Sequence, residues 1–243
     1  MANWSDPRMA APHPATTAGR DVAFDAGLRK HMLSVYNYMT SGVLLTGVVA
    51  LLFSTWEGAP ALLFGPGPIK YLIMFAPLAF VMVLSFGIHK LSTGAAQALY
   101  WAFAVVMGLS LSSIFFVYTD ASIATVFFAT AAAFASLSLW GYTTKKDLSG
   151  MGTFLIMGVV GLLVASIANL FMQSPALHYA IAAIGVLIFA GLTAYDTQKI
   201  KSVYFELAGT SFLGKAAIIG ALELYLDFVN MFIFLLRLFG SRD

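Results

Sequence analysis

Cysteine is absent from the 243 residues. Disulfides, thiolate catalysis and Cys-based metal sites are therefore excluded, and the redox compartment is left open. Charge is scarce as well. Asp, Glu, Lys and Arg make up 10% of the chain, where a soluble domain carries about 25%. Apolar residues make up 60%, and the mean hydropathy is +0.87. The net charge is only +2, so no basic excess points to nucleic acid as a partner. The apolar residues are gathered into long blocks, and the solvent they imply is a lipid bilayer.

A membrane-spanning helix needs roughly 20 mostly apolar residues. Seven blocks meet this: Met32–Ser54, Tyr71–Ile88, Ala95–Tyr118, Ser122–Tyr142, Met151–Met172, Tyr179–Thr197 and Ala216–Phe239. They are apolar on every side, unlike the alternating strands of a membrane barrel. The expectation is an all-α membrane protein with seven transmembrane helices. The breakers between blocks are short, so neighbouring helices run antiparallel. The longest and most charged is expected to be a loop, from Gln198 to Lys215. Residues 1–30 are polar and of mixed charge, with no apolar core of signal-peptide length. They read as a flexible cytoplasmic tail before a transmembrane domain over residues 31–243.

Lys and Arg set the orientation. With the amino terminus inside, the cytoplasmic set is Arg8, Arg20, Arg29, Lys30, Lys90, Lys145, Lys146, Lys199, Lys201 and Lys215. The outer set is Lys70, Arg237 and Arg242. Ten against three places the amino terminus in the cytoplasm and, after seven spans, the carboxyl terminus outside. Short loops and no ER-retrieval signal fit a bacterial inner (plasma) membrane.

Against this background two acids stand out. Asp196 lies in FAGLTAYDTQKIK and Asp227 in ALELYLDFVNMFIFLLRLFG. Ionisable groups within spans are costly and face a bundle interior or a wet cavity. Asp196 falls thirteen residues before Gly209, and Asp227 falls thirteen after Gly214. In a helical hairpin turning at those glycines, both acids reach one depth, about 20 Å from the turn at 1.5 Å per residue. Two carboxyls at one level can share a proton and titrate as a unit. One proton clips the helices together, and none leaves like charges that repel and admit water or cations. Alternatively each Asp serves as interhelical glue, bonded to a hydroxyl or backbone group.

The two motifs with this spacing, at the end of a seven-block chain, resemble the Bax inhibitor-1 family, also called the transmembrane Bax inhibitor motif family. The likeness covers roughly Arg29 to Gly240. It implies a last helix that is central and wrapped by the other six. It also implies a pH-sensitive calcium leak gated by two aspartates, which by motif match are Asp196 and Asp227. The family tends to carry an Arg at the cytoplasmic end of the second helix. Here that region reads FGIHKLSTG, offering His89 and Lys90 as basic partners, although a Lys at a helix end also snorkels to headgroups. Bacterial members include binders of a membrane-anchored ATP-dependent protease, for which the polar tail would be a handle.

Other residues bear on an ion path. Glu223 is four positions before Asp227, on the same helical face, and either adds negative field along the path or pairs with Lys215. Asn230 is three positions beyond Asp227, as a path residue or an interhelical hydrogen-bonder, and Asn169 reads the same way. Tyr195 and Tyr225 flank the acids as possible donors or as packing. Calcium takes six to eight oxygens, so Asp196, Asp227 and Glu223 with carbonyls or waters would make a weak transit site. The four His are too scattered for zinc, and no cofactor is expected.

Three functions remain in view. The first is a pH-sensitive calcium leak channel, and the second a membrane regulator that binds a partner such as that protease. The third is an intramembrane aspartyl protease, where a shared proton activates water. That last family carries GxGD on its second acidic helix, and LYLD here has neither glycine, so no enzyme is expected.

Overall fold

A computed structural model describes residues 15–242, with side chains from Ala26 onward. Eight α-helices follow in order: α1 Ala15–Ser54, α2 Ala59–Phe64, α3 Ile69–Gly87, α4 Thr93–Leu111, α5 Asp120–Thr143, α6 Ser149–Met172, α7 Pro175–Leu207 and α8 Leu213–Phe239. A 3-10 turn, Ser112–Phe116, continues α4. All but α2 are long and apolar enough to cross a membrane. The described chain is thus an all-α, seven-span membrane protein. Its extended pairing among the described residues is a single bridge between Tyr118 and Arg242.

Helix ends follow local chemistry. Ser92, Thr119 and Ser174 each accept from a backbone N–H three residues on, satisfying a donor that the first turn leaves free. Pro175 opens α7, where its missing N–H costs nothing. Asn169 Oδ1 accepts from the Ser174 N–H at 3.0 Å, so this residue closes the α6–α7 turn.

Three segments differ from the sequence expectation. The first helix begins at Ala15, upstream of the expected Met32, and it carries residues 15–30 of the expected tail as helix. Residues 1–14 lie outside the described chain. The first breaker contains the short helix α2. Most consequentially, α7 continues through the charged segment expected to be a loop and ends at Leu207. That segment has no Gly or Pro before Gly209, and polar residues continue a helix into water. Its side chains also dock. Gln198 accepts from the Leu148 N–H and donates to the Lys146 carbonyl, both at 2.8 Å. Lys201 donates to the Tyr142 carbonyl at 3.0 Å. With 33 residues, α7 is about 50 Å long, well beyond a hydrocarbon core of about 30 Å.

Burial is graded across the bundle. In α8, 61% of the apolar window is buried, against 39% or less in the others. It packs against α1, α3, α4, α5 and α7, whereas α6 packs chiefly on α7. Without a hydrophobic drive between helices in lipid, association rests on close packing and interhelical hydrogen bonds. Both are present. Thr46 Oγ1 donates to the Ala104 carbonyl at 2.8 Å and meets the Tyr225 hydroxyl at 2.6 Å. Ser138 links Tyr36 of α1, at 2.6 Å, to Thr197 of α7, at 2.9 Å. Gly141 lets α5 lie directly on α7, because a Cβ there would collide with the Ala194 carbonyl.

Replacing Gly141 by Leu therefore overpacks the α5–α7 contact. The expected cost is about 1–3 kcal/mol, read as a lowered melting temperature of the purified protein, whereas Gly150→Leu, where a Cβ meets nothing, leaves it unchanged.

Candidate functional site

The site is built on the α7–α8 hairpin, the most extensive helix pairing among the described residues. Its turn spans residues 208–212, and Gly209 sits there at φ +83°, a left-handed conformation that glycine takes without steric cost. The two helices leave this turn antiparallel and bring Asp196 and Asp227 to the wall of one cavity. Both are buried, at 9% and 4% exposure. They open on a cavity of about 490 Å³ between α6, α7 and α8. Glu223, Lys199, Tyr195 and Asn230 share its wall with apolar side chains of α6.

Charge in this cavity is unevenly matched. Lys199 Nζ donates to Glu223 Oε1 at 2.6 Å and stands 4.0 Å from Asp196 Oδ1. Asp227 Oδ2 is fully buried and receives no N–H or O–H donor among the described residues. One ammonium thus faces three carboxyl groups, two of them buried. Removing a carboxylate from water without a donor costs several kcal/mol. A pair holding one proton relieves this by a carboxyl-to-carboxylate bond, and a pair holding none repels.

The remaining sequence candidates are placed as follows. Asn230 lines the cavity while its Nδ2 donates to the Leu226 carbonyl of its own helix at 2.7 Å. Tyr195 also lines the cavity, whereas the Tyr225 hydroxyl points to Thr46, away from the acids. His89 and Lys90 are exposed just past the end of α3 and do not line the cavity. The His89 ring stacks on Phe212 of the hairpin turn at 5.1 Å. Lys215 does not pair with Glu223. Its Nζ donates to the carbonyls of Leu91, at 2.9 Å, and Ile88, at 3.4 Å, closing the end of α3. The cation beside the aspartates is Lys199, which sequence reasoning did not single out. Its signal was present as an i, i+3 spacing from Asp196, and assigning Gln198 onward to a loop removed Lys199 from the helix face. Among the described residues no three His, Asp or Glu side chains converge to hold a metal ion.

Residues 28–243 match the family model described as inhibitor of apoptosis-promoting Bax1. The chain belongs to the Bax inhibitor-1 family. It is 48% identical over 219 residues to the inner membrane protein YbhL of Escherichia coli strain K12, a match covering 89% of this chain and 94% of that one. A protein of Caulobacter vibrioides is 46% identical over 231 residues, covering 91% and 92% of the two chains. One of Rickettsia prowazekii is 44% identical over 228 residues, covering 93% and 96%. The Bax inhibitor-1 resemblance read from the two acidic motifs therefore extends over nearly the whole chain.

The Lys199–Glu223 pair is partly exposed, at 41% and 28% of its side chains, so its contribution is limited by solvent screening. A double-mutant cycle with Lys199→Gln and Glu223→Gln is expected to return a coupling of about 1 kcal/mol or less, measured from thermal unfolding in detergent.

Proposed function

We propose that this Bax inhibitor-1 family member is a pH-sensitive leak pathway for cations, calcium among them, gated by proton sharing between Asp196 and Asp227. The observation that carries this reading is Asp227 Oδ2, buried without a donor beside a second buried carboxyl. A single proton held between the two supplies the missing hydrogen bond and draws α7 and α8 together. Its loss leaves two like charges in a medium of low dielectric, which part or recruit a cation. The Lys199–Glu223 pair keeps one more carboxylate and its counter-ion at the cavity wall. Calcium is cargo in this scheme. Two or three carboxyl oxygens with water make a site weak enough for an ion to leave.

The membrane is proposed to be a bacterial inner membrane, as the name of the Escherichia coli relative states for that protein. The Lys and Arg distribution supports a cytoplasmic amino terminus. The α7–α8 turn then lies on the cytoplasmic side and the acids in the cytoplasmic half of the bilayer.

Two measurements test this. In liposomes loaded with a calcium indicator, flux through the wild type is expected to rise as pH rises, because deprotonation opens the gate. Asp196→Asn and Asp227→Asn replace a titrating group by a neutral amide and should flatten that response. Equal flux and equal pH response in all three proteins would remove the gating role. For orientation, the cysteine-free chain allows labelling without background. A membrane-impermeant maleimide should react in spheroplasts with Glu57→Cys and reach Lys145→Cys only after lysis. The reverse pattern would overturn the assignment.

A further inference from the structure

The first helix packs on α4 and α8, and α5 packs on α7 and α8. Between α1 and α5 a groove of about 820 Å³ remains, distinct from the cavity at the aspartates. Phe228 of α8 forms part of its floor. Its walls are apolar apart from a few hydroxyls, and the hydroxyls of Tyr36 and Ser138 are bonded to each other. Along the rim Leu33, Leu44 and Leu139 are 51%, 57% and 63% exposed, so the groove opens sideways toward the surrounding lipid. Arg29 and Leu44 lie fifteen positions apart on α1, which gives the groove a length of about 22 Å. One leaflet of the hydrocarbon core is about 15 Å deep. The groove is thus long enough for an acyl chain with part of its headgroup beyond.

One end of the groove is cationic. Arg29 lines it, is exposed, and makes no ion pair among the described residues. Tyr142 lines the same end, and its ring and carbonyl hold the Lys201 ammonium. No carboxylate lines the groove among the described residues. An apolar slot of leaflet length, open to the bilayer and ending in an exposed guanidinium, is complementary to one kind of molecule. We propose that the α1–α5 groove binds an anionic phospholipid, with an acyl chain along Met39, Val43 and Phe134 and the headgroup phosphate on Arg29. Arginine suits this role because its planar fork of donors matches two phosphate oxygens. A basic residue near the surface strengthens attraction to anionic lipid by an amount that corresponds to about fivefold in affinity. The proposal does not depend on the leak activity, since it concerns a different face of the bundle.

The test is native mass spectrometry of the purified full chain, titrated in parallel with phosphatidylglycerol and phosphatidylcholine of the same acyl composition. Wild type is expected to retain one phosphatidylglycerol in preference to phosphatidylcholine. Arg29→Gln should weaken phosphatidylglycerol retention about fivefold and leave phosphatidylcholine unchanged. Because Arg29 is exposed, this variant should keep the wild-type melting temperature. Ala135→Trp, which fills the groove from α5, should abolish retention of both lipids. Equal retention of the two lipids by wild type, unaltered selectivity in Arg29→Gln, or lipid still bound to Ala135→Trp would each overturn the proposal. A dimer that excludes lipid would overturn it too, by assigning the groove to a second copy of the chain.

Discussion

Inside a bilayer no water is at hand to complete a hydrogen bond, so each polar group must find its partner within the protein. This constraint shapes every buried polar position described above. Thr46 meets Tyr225 and the Ala104 carbonyl, Tyr100 meets the Tyr38 carbonyl at 2.8 Å, and Ser138 joins Tyr36 to Thr197. Each such contact ties one helix to another, and together they hold α1, α4, α5, α7 and α8 in register. The acids are where the rule is only half met. Asp196 has the Lys199 ammonium 4.0 Å away, and Asp227 Oδ2 has no hydrogen-bond donor among the described residues.

That imbalance rests on the hairpin. Its turn holds Gly209 at positive φ, and its arms run long enough to bury Asp227 in the middle of the most enclosed helix. On the α6 side lies the cavity onto which the two acids open. On the opposite side α5 lies close on α7 through Gly141. The hydroxyl chain from Tyr36 through Ser138 reaches Thr197, the residue next to Asp196, so the floor of the α1–α5 groove and the carboxyl site share neighbouring residues.

Much of this was legible in residue order. The sixth block, Tyr179–Thr197, lies within α7, and the fifth, Met151–Met172, agrees with α6 to two residues at its start. Such agreement is expected, because the stretch of helix that crosses lipid is set by apolar content. The equal offsets of Asp196 and Asp227 from the turn glycines put both acids at one depth, and both line one cavity. The charged run after Thr197 misled, because charge density was taken for a loop when the same residues form helix beyond the hydrocarbon. Lys199 was hidden by that reading. The partner of Tyr225 was also illegible, since Thr46 lies 179 positions away and only helix packing brings them together.

Composition and spacing by themselves determined the class and the number of spans, because these depend on length and on apolar content along one chain. Only the tertiary structure decided which cation sits beside Asp196, that Asp227 Oδ2 lacks a donor, and where the cavity and the α1–α5 groove open. Those depend on how helices far apart in sequence rotate and lean against one another, and no local pattern encodes a rotation.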